Sequence, residues 1–145
     1  MSRRYPDRPF LGVGALIFDR GRILLVERGG EPLKGQWSLP GGIVETGELL
    51  KDATRREVRE ETGLEVEPLS IFEVFERIMP DTEGRTEYHY VLIDYVCRVT
   101  AGSLAPATDV RRAVWASKPE LPEYDLTEGT LGVILRAFEH AGEQR

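Results

Sequence analysis

Residues 42–64 read GIVETGELLKDATRREVREETGL and crowd acidic and basic side chains into one short segment. Carboxylates this close in sequence repel one another unless a positive group lies among them. The periodicity predicts a helix from Thr46 to Thr62, with Thr46 near its N-terminal cap. Gly63 follows at the position where many helices end on a left-handed residue.

On such a helix the acidic residues share one face. Glu57, Glu60 and Glu61 fall within a sector of about 100°. This pattern favours a hard divalent cation such as Mg²⁺, which prefers oxygen ligands and keeps waters that phosphate oxygens can replace. Arg56 could orient a carboxylate through a charge-assisted hydrogen bond. The alternative is a solvated helix face crossed by ion pairs such as Asp52–Arg56, which is common for charge runs on helices.

The spacing of the segment favours the first interpretation. Counted from Gly42, the specified positions are Glu48, Arg56, Glu57, Val58, Glu60, Glu61, Gly63 and Leu64. This pattern resembles the Nudix box, and every defining position is filled. The order of the flanking strands and a final helix is also similar to a Nudix domain. The chain is therefore identified as a member of the Nudix hydrolase family, close to its MutT-like and ADP-ribose pyrophosphatase-like members, with one domain over residues 1–145.

The resemblance implies a fold and a set of site residues. The fold is α/β, an α/β/α sandwich with a mixed sheet between helices, and the cofactor is Mg²⁺ or Mn²⁺. The resemblance implies that Glu60 and Glu61 ligate the metal, and that Glu57 is a ligand or the general base. It also implies that Arg56 orients the carboxylates and that the backbone carbonyl of Gly41 adds a ligand.

A further metal ligand is expected from a distant loop, as in many relatives. Asp109 is the candidate, because it precedes the strand that contains the residues AVW. The alternative is that Asp109 only caps a turn.

Substrate-binding residues are suggested by residue type and position. Trp37 lies in a glycine-flanked loop and could stack on a base or a ribose. Arg28 and Arg77 could bind a terminal phosphate, although arginines at strand ends are commonly solvated. Tyr88 and Tyr90 could also stack on a base or a ribose, but they alternate along a buried strand, which is more typical of core residues.

The resemblance also implies the reaction. ADP-ribose is the first substrate expected, giving AMP and ribose 5-phosphate. The alternatives are a MutT-like hydrolysis of (d)NTPs to nucleoside monophosphate and pyrophosphate, or a nucleotide-binding sensor without catalysis.

The composition bounds the partners. A net charge of −6 over 145 residues argues against a broad nucleic-acid surface, so a small nucleotide is the expected partner and a homodimer stays open. Cys97 is the only cysteine and lies in an apolar run, so it is expected to be buried and unpaired. No run of about 18 apolar residues suggests a membrane span, and the cytoplasm is the expected compartment.

The remaining elements follow from apolar periodicity and turn residues. The predicted strands are two within 10–28 around Gly21, one or two within 65–78, one at 87–99 and one at 111–117. Loops are predicted at 79–86 and 100–109. A last helix is predicted at 128–140, with an apolar stripe of Leu131, Ile134, Leu135 and Phe138.

Overall fold

A computed structural model describes residues 3–105 and 110–143, which form a seven-stranded mixed sheet with a helix packed on each face. The strands are β1 (Phe10–Asp19), β2 (Arg22–Arg28), β3 (Trp37–Ser38), β4 (Gly41–Ile43), β5 (Leu64–Pro80), β6 (Thr86–Gly102) and β7 (Val110–Ser117). The helices are α1 (Leu50–Thr62) and α2 (Thr130–Glu143), with a short 3₁₀ helix at Lys118–Glu123. The predicted α/β/α sandwich is confirmed.

The sheet order is β3-β2-β1-β6-β5, with β4 also paired to β1 and β7 to β2. The β1–β6 pair is parallel, and the other pairs are antiparallel. In this register Gly14 of β1 lies between Gly41 of β4 and Asp94 of β6. These three neighbouring residues all border the candidate site described below.

Alternate residues of β1 supply two separate cores. Val13, Ala15 and Ile17 pack with Ala53 and Val58 of α1. Cys97 also lies in this first core and is free, as predicted. The second core joins Leu16 on the other sheet face to α2. This division follows from the alternation of side chains along a strand.

The acidic helix begins later than predicted. Its first residue is Leu50 rather than Thr46, and the preceding Leu49 makes no side-chain cap. The predicted C-terminus is confirmed, because Gly63 has φ 79° and its N–H bonds to the carbonyl of Arg59. Glu48 therefore lies in the loop before the helix, where its carboxylate accepts the N–H of Glu45 at 3.1 Å.

The strand and helix limits differ from the prediction in three further places. The strands β5 and β6 form one hairpin of 17 residues each, because cross-strand pairing continues past the apolar runs into 79–80 and 100–102. The final helix begins at Thr130, after Gly129 with φ 85°. Of the predicted apolar stripe, Ile134 is buried and Leu135 and Phe138 pack against the second core, but Leu131 is exposed. The other buried residues of that helix are Thr130, Val133 and Ala137. Within residues 3–105 and 110–143, no helix is long and apolar enough to cross a membrane.

Candidate active site

Two glycines of β4 bring the acidic helix against the sheet. The N–H of Gly41 donates to Oε1 of Glu61 at 2.7 Å. A Cβ atom on Gly42 would come within 2.4 Å of the Glu57 carboxyl carbon. The absence of a side chain at Gly42 therefore lets the Glu57 carboxylate approach the β4 backbone, which only glycine permits at this distance. Glu61 contacts the same strand through the backbone N–H of Gly41.

Arg56 lies at the centre of the carboxylates. Its Nε and Nη2 atoms donate to the two oxygens of Glu48 at 2.7 and 2.9 Å, a bidentate contact. Its Nη1 atom donates to Glu57 at 2.9 Å and to Glu60 at 3.3 Å, and Nη2 also reaches the Ile43 carbonyl at 3.1 Å. The hydrogen bonds from Arg56 and from the Glu45 N–H lower the pKa of Glu48 to about 2. The network keeps the loop before α1 attached to the helix.

The donor set suits a hard divalent cation. Glu57, Glu60 and Glu61 offer carboxylate oxygens, and Gly41 offers a carbonyl beside them. Within the described part of the chain, no three acidic, histidine or cysteine side chains already stand at metal-ligating positions. Glu57 and Glu60 are turned towards Arg56, and Glu61 towards the Gly41 N–H. The residues fit a cation in chemistry and location, and its ligation would exchange some of these hydrogen bonds for metal bonds.

Asp109 lies outside the described residues. Its role as an additional ligand stays a prediction.

A pocket opens beside the β4 glycines, with a volume of about 100 Å³. On the same measure of volume, one water molecule needs roughly 10–15 Å³. The pocket is therefore large enough for a group the size of a sugar or a base. Its apolar lining includes Val13, Leu39, Phe75, Met79, Leu92 and Val133. Gly41 and Gly42 line the same pocket, which therefore borders the backbone that holds the carboxylates.

Arg28 and Arg77 both line this pocket. Arg28 donates from Nε to the Pro32 carbonyl at 2.8 Å. Arg77 donates to the Glu128 carbonyl at 3.0 Å and lies 5.2 Å from the centre of the Phe75 ring. Burial, and next the nearby charge of Arg28, lower the pKa of Arg77. The structure thus brings together two of the predicted substrate-binding residues.

Trp37, the third predicted substrate-binding residue, does not line the pocket. Its side chain is 6% exposed, belongs to the second core and contacts Tyr124 edge-on at 5.0 Å. The expected loop is strand β3, where Trp37 pairs with Glu27 of β2. A ring held in the core cannot also stack on a ligand, so the structure makes Trp37 a packing residue.

Asp94 is a pocket residue that the sequence reasoning missed. It is 4% exposed, and a Cβ atom on Gly14 would lie 2.3 Å from its Oδ1 atom. The pKa of Asp94 is raised to about 7, chiefly by burial and next by the charge of Glu73, while the charge of Arg77 opposes the shift. The sequence contains one sign that Asp94 is a site residue, namely its place inside the apolar run YVLIDYV. A buried carboxyl is unfavourable unless a function or a partner compensates for it.

Tyr90 also lines the pocket instead of belonging only to the core. It is 8% exposed, and its hydroxyl has no hydrogen-bond partner among the described residues. Arg3, from the segment before β1, lines the same pocket. Nothing local in the sequence connects Arg3 with Tyr90, which is why neither was predicted as a site residue.

Comparison with known proteins supports the family resemblance found in the sequence. Residues 8–137 match the NUDIX domain family. An ADP-ribose pyrophosphatase of Methanocaldococcus jannaschii is 35% identical over 79% of this chain and 66% of that protein. The nucleoside triphosphatase NudI of an Enterobacter species is 31% identical over 79% of this chain and 86% of that protein. Other curated relatives are longer, and this chain spans 33% or 22% of them.

A solved structure agrees with both the sequence match and the fold. The MutT NUDIX hydrolase of Burkholderia pseudomallei superposes with a TM-score of 0.78 at 30% identity, over 89% of this chain and 98% of that one. The complete box, the sandwich and a family match over most of the sequence converge: the chain belongs to the NUDIX domain family.

Proposed function

We propose that this protein is a metal-dependent pyrophosphohydrolase that cleaves a nucleoside diphosphate linked to another moiety. The observation that carries the proposal is the Arg56-centred carboxylate cluster held against the β4 glycines, beside a pocket that three arginines line. An ion-paired helix face alone would not need a glycine at position 42 that admits Glu57 to the backbone.

Mg²⁺ or Mn²⁺ would be held by Glu60, Glu61 and the Gly41 carbonyl, with Glu57 either a further ligand or the general base. There the cation would shield phosphate charge and lower the pKa of a bound water. Arg56 keeps the surrounding carboxylates in place by donating to three of them. Such positioning limits the reorganisation that the reaction requires.

Water attacks one phosphorus, and the bond from that phosphorus to the bridging oxygen breaks. The water proton passes to a carboxylate, and the second phosphate leaves with the bridging oxygen. Glu57 is the candidate base, because its side chain is 13% exposed and lies against Gly42, whereas Glu60 is 55% exposed. A base near the β4 backbone is well placed beside a phosphate in the pocket.

ADP-ribose is the first substrate we propose, with AMP and ribose 5-phosphate as products. The name of the archaeal relative supports it, and the pocket offers apolar walls with Arg28 and Arg77 as polar contacts. A nucleoside triphosphate is the second candidate, supported by the relative named nucleoside triphosphatase, of which this chain spans 86%.

A product assay tests the proposal. ADP-ribose, other diphosphate-linked nucleosides and a (d)NTP panel are incubated with Mg²⁺ or Mn²⁺, and the products are separated by chromatography. Glu60→Gln should lower turnover by about 100-fold or more, as expected for a residue in the reacting constellation. The matched control is Glu65→Gln, since Glu65 pairs with Arg59 at 2.8 Å away from the cluster.

The products distinguish the candidates. AMP with ribose 5-phosphate establishes the ADP-ribose reaction, and pyrophosphate with a nucleoside monophosphate establishes the triphosphate reaction. Equal rates for Glu60→Gln and Glu65→Gln would refute the site. Absence of turnover with nucleotide binding retained would make the protein a binding domain.

A further inference from the structure

Three arginines line the pocket without a salt bridge to any described residue. Arg3, Arg28 and Arg77 come from three distant parts of the chain and meet there. Arg28 and Arg77 donate to neutral oxygens, namely the Pro32 and Glu128 carbonyls and the Thr127 hydroxyl. These contacts satisfy N–H groups without pairing the positive charges, and the nearby acids Asp94 and Glu128 only partly offset the burial of Arg77.

Among the described residues that line the pocket, one is acidic, and it neutralises the positive charge of the three arginines only in part. Asp94 lines the pocket, but it forms no salt bridge with the three arginines, and burial favours its neutral form. Arg28 in turn disfavours the charge of Arg77. Like charges gathered at one place favour the binding of an anion between them.

The hydroxyl of Tyr90 lies among these charges. Burial raises the pKa of Tyr90, and the charges of Arg3 and Arg28 partly offset that shift, so both guanidinium groups are near the ring. Hydrogen bonding to Arg3 acts in the same direction as the two charges. The hydroxyl is buried, and no contact within the described part of the chain has the full geometry of a hydrogen bond to it. A guanidinium can only donate, so the proton of the Tyr90 hydroxyl has no acceptor there, and a ligand oxygen would accept it.

Arg3 reaches the pocket because the next residues are fixed to the β5–β6 turn. The N–H of Tyr5 donates to the Glu87 carbonyl at 2.7 Å, and its hydroxyl to Asp81 at 2.9 Å. The Tyr5 ring also lies 5.2 Å from the guanidinium of Arg85. Arg4 bonds to the Glu87 carboxylate at 2.9 Å. Such an anchor restricts where the neighbouring Arg3 can go.

We propose that Arg3, Arg28 and Arg77, with the Tyr90 hydroxyl, bind a substrate phosphate other than the one attacked, and that Tyr5 positions Arg3. The subsite deepens the proposed function, on which its role in catalysis rests. Its ligand class is a phosphate monoester or the second phosphate of a diphosphate. Arg3 is then a binding residue, and Tyr5 acts through it.

Binding in EDTA separates this subsite from the carboxylate cluster. Without a divalent cation, the glutamates repel phosphate, so any preference for AMP over adenosine reports the arginines. We expect wild-type protein to bind AMP more tightly than adenosine in calorimetric titrations. Arg3→Gln should weaken AMP binding roughly five- to tenfold and leave adenosine unchanged, as for the loss of a charge-assisted contact at a partly exposed site.

Arg8→Gln is the matched control, because Arg8 belongs to the same segment, is 85% exposed and does not line the pocket. Tyr5→Phe keeps the ring, removes the bond to Asp81, and should weaken AMP binding by a smaller factor. In the Arg3→Gln background, Tyr5→Phe should have no further effect on AMP binding. That loss of additivity distinguishes positioning from a general effect on folding.

The outcomes decide the proposal independently of catalysis. Equal AMP affinities for Arg3→Gln and Arg8→Gln would overturn the subsite, as would equal affinity of wild-type protein for AMP and adenosine. Additive effects of Tyr5→Phe and Arg3→Gln would overturn the positioning role. The hydrolase function is tested separately, by the turnover of wild-type protein with Mg²⁺. That result does not depend on the outcome of the binding experiment.

Discussion

The Asp94→Asn substitution keeps the shape of a buried side chain and removes its ability to ionise. In the folded protein the pKa of Asp94 is raised from 3.8 to about 7, chiefly by burial. The folded state then holds this proton more tightly than the unfolded chain does. The contribution to stability is fully present below pH 3.8 and is lost as the pH rises through 7.

The size of the effect follows from the shift. Each pKa unit corresponds to about 1.4 kcal/mol, so wild-type protein should lose roughly 3 kcal/mol of unfolding free energy from this group between pH 5 and pH 8. Asp94→Asn should not show that loss. For a domain of this size the difference amounts to about 6–12 °C in Tm.

The assay is urea unfolding of both proteins in EDTA at several values of pH between 5 and 8. The quantity compared is the difference in unfolding free energy between variant and wild type, in which all other titrating groups cancel to first order. Asp52→Asn is the control, because Asp52 is 57% exposed on α1 and pairs with Arg55. Its curve should stay near that of wild type.

Two results would contradict the assignment of a raised pKa to Asp94. A constant difference between Asp94→Asn and wild type across this range would mean that Asp94 has the same proton affinity in both states. A wild-type protein that gains stability relative to Asp94→Asn as the pH rises would mean that attraction to Arg77 outweighs burial. Glu73, the other acid that affects Asp94, is held by Arg136 at 2.9 Å and should not reverse the sign.

Two further predictions concern the carboxylate cluster. Arg56→Lys should lower turnover by about 10- to 100-fold, because an ammonium group cannot make the bidentate contact of the guanidinium; steady-state kinetics at saturating Mg²⁺ measure it, and an unchanged kcat would contradict the positioning role. Gly42→Ala should lower kcat on the order of 100-fold, since the added carbon would lie 2.4 Å from the Glu57 carboxyl carbon. Gly30→Ala is its control, with nothing within 4 Å of the added carbon, and equal kinetics for the two alanine variants would refute the close approach.

The parts of the fold that the sequence predicts are those with local causes. The turn at Gly21 and the left-handed end of α1 at Gly63 depend on backbone freedom at single residues. The carboxylate face of α1 depends only on helical spacing. The predicted start of α1 at Thr46 is wrong. Glu48 bonds to Arg56, eight residues away, and this contact keeps the residues before Leu50 in a loop.

The pocket could not be assembled from local patterns. Asp94 meets Gly14 only because β6 pairs in parallel with β1, and that register joins residues 80 positions apart. Trp37 shows the converse, since its flanking glycines suggested a loop while pairing with β2 placed the ring in the core. Arg3 enters the pocket through contacts of its neighbours with the β5–β6 turn, which no periodicity records.

The distribution of charge around β4 explains how an acidic protein can receive an anionic substrate. The net charge of −6 acts weakly at a distance, because physiological salt screens exposed charges beyond about 8 Å. At shorter range, the glutamates of α1 lie on one side of the β4 glycines and the pocket arginines on the other. A diphosphate that spans β4 would place one phosphate beside the carboxylates, where the proposed cation would bind, and the other beside the arginines, where no cation would be needed. The two sides should therefore respond differently to chelation: EDTA should abolish turnover and leave the arginine-dependent part of nucleotide affinity.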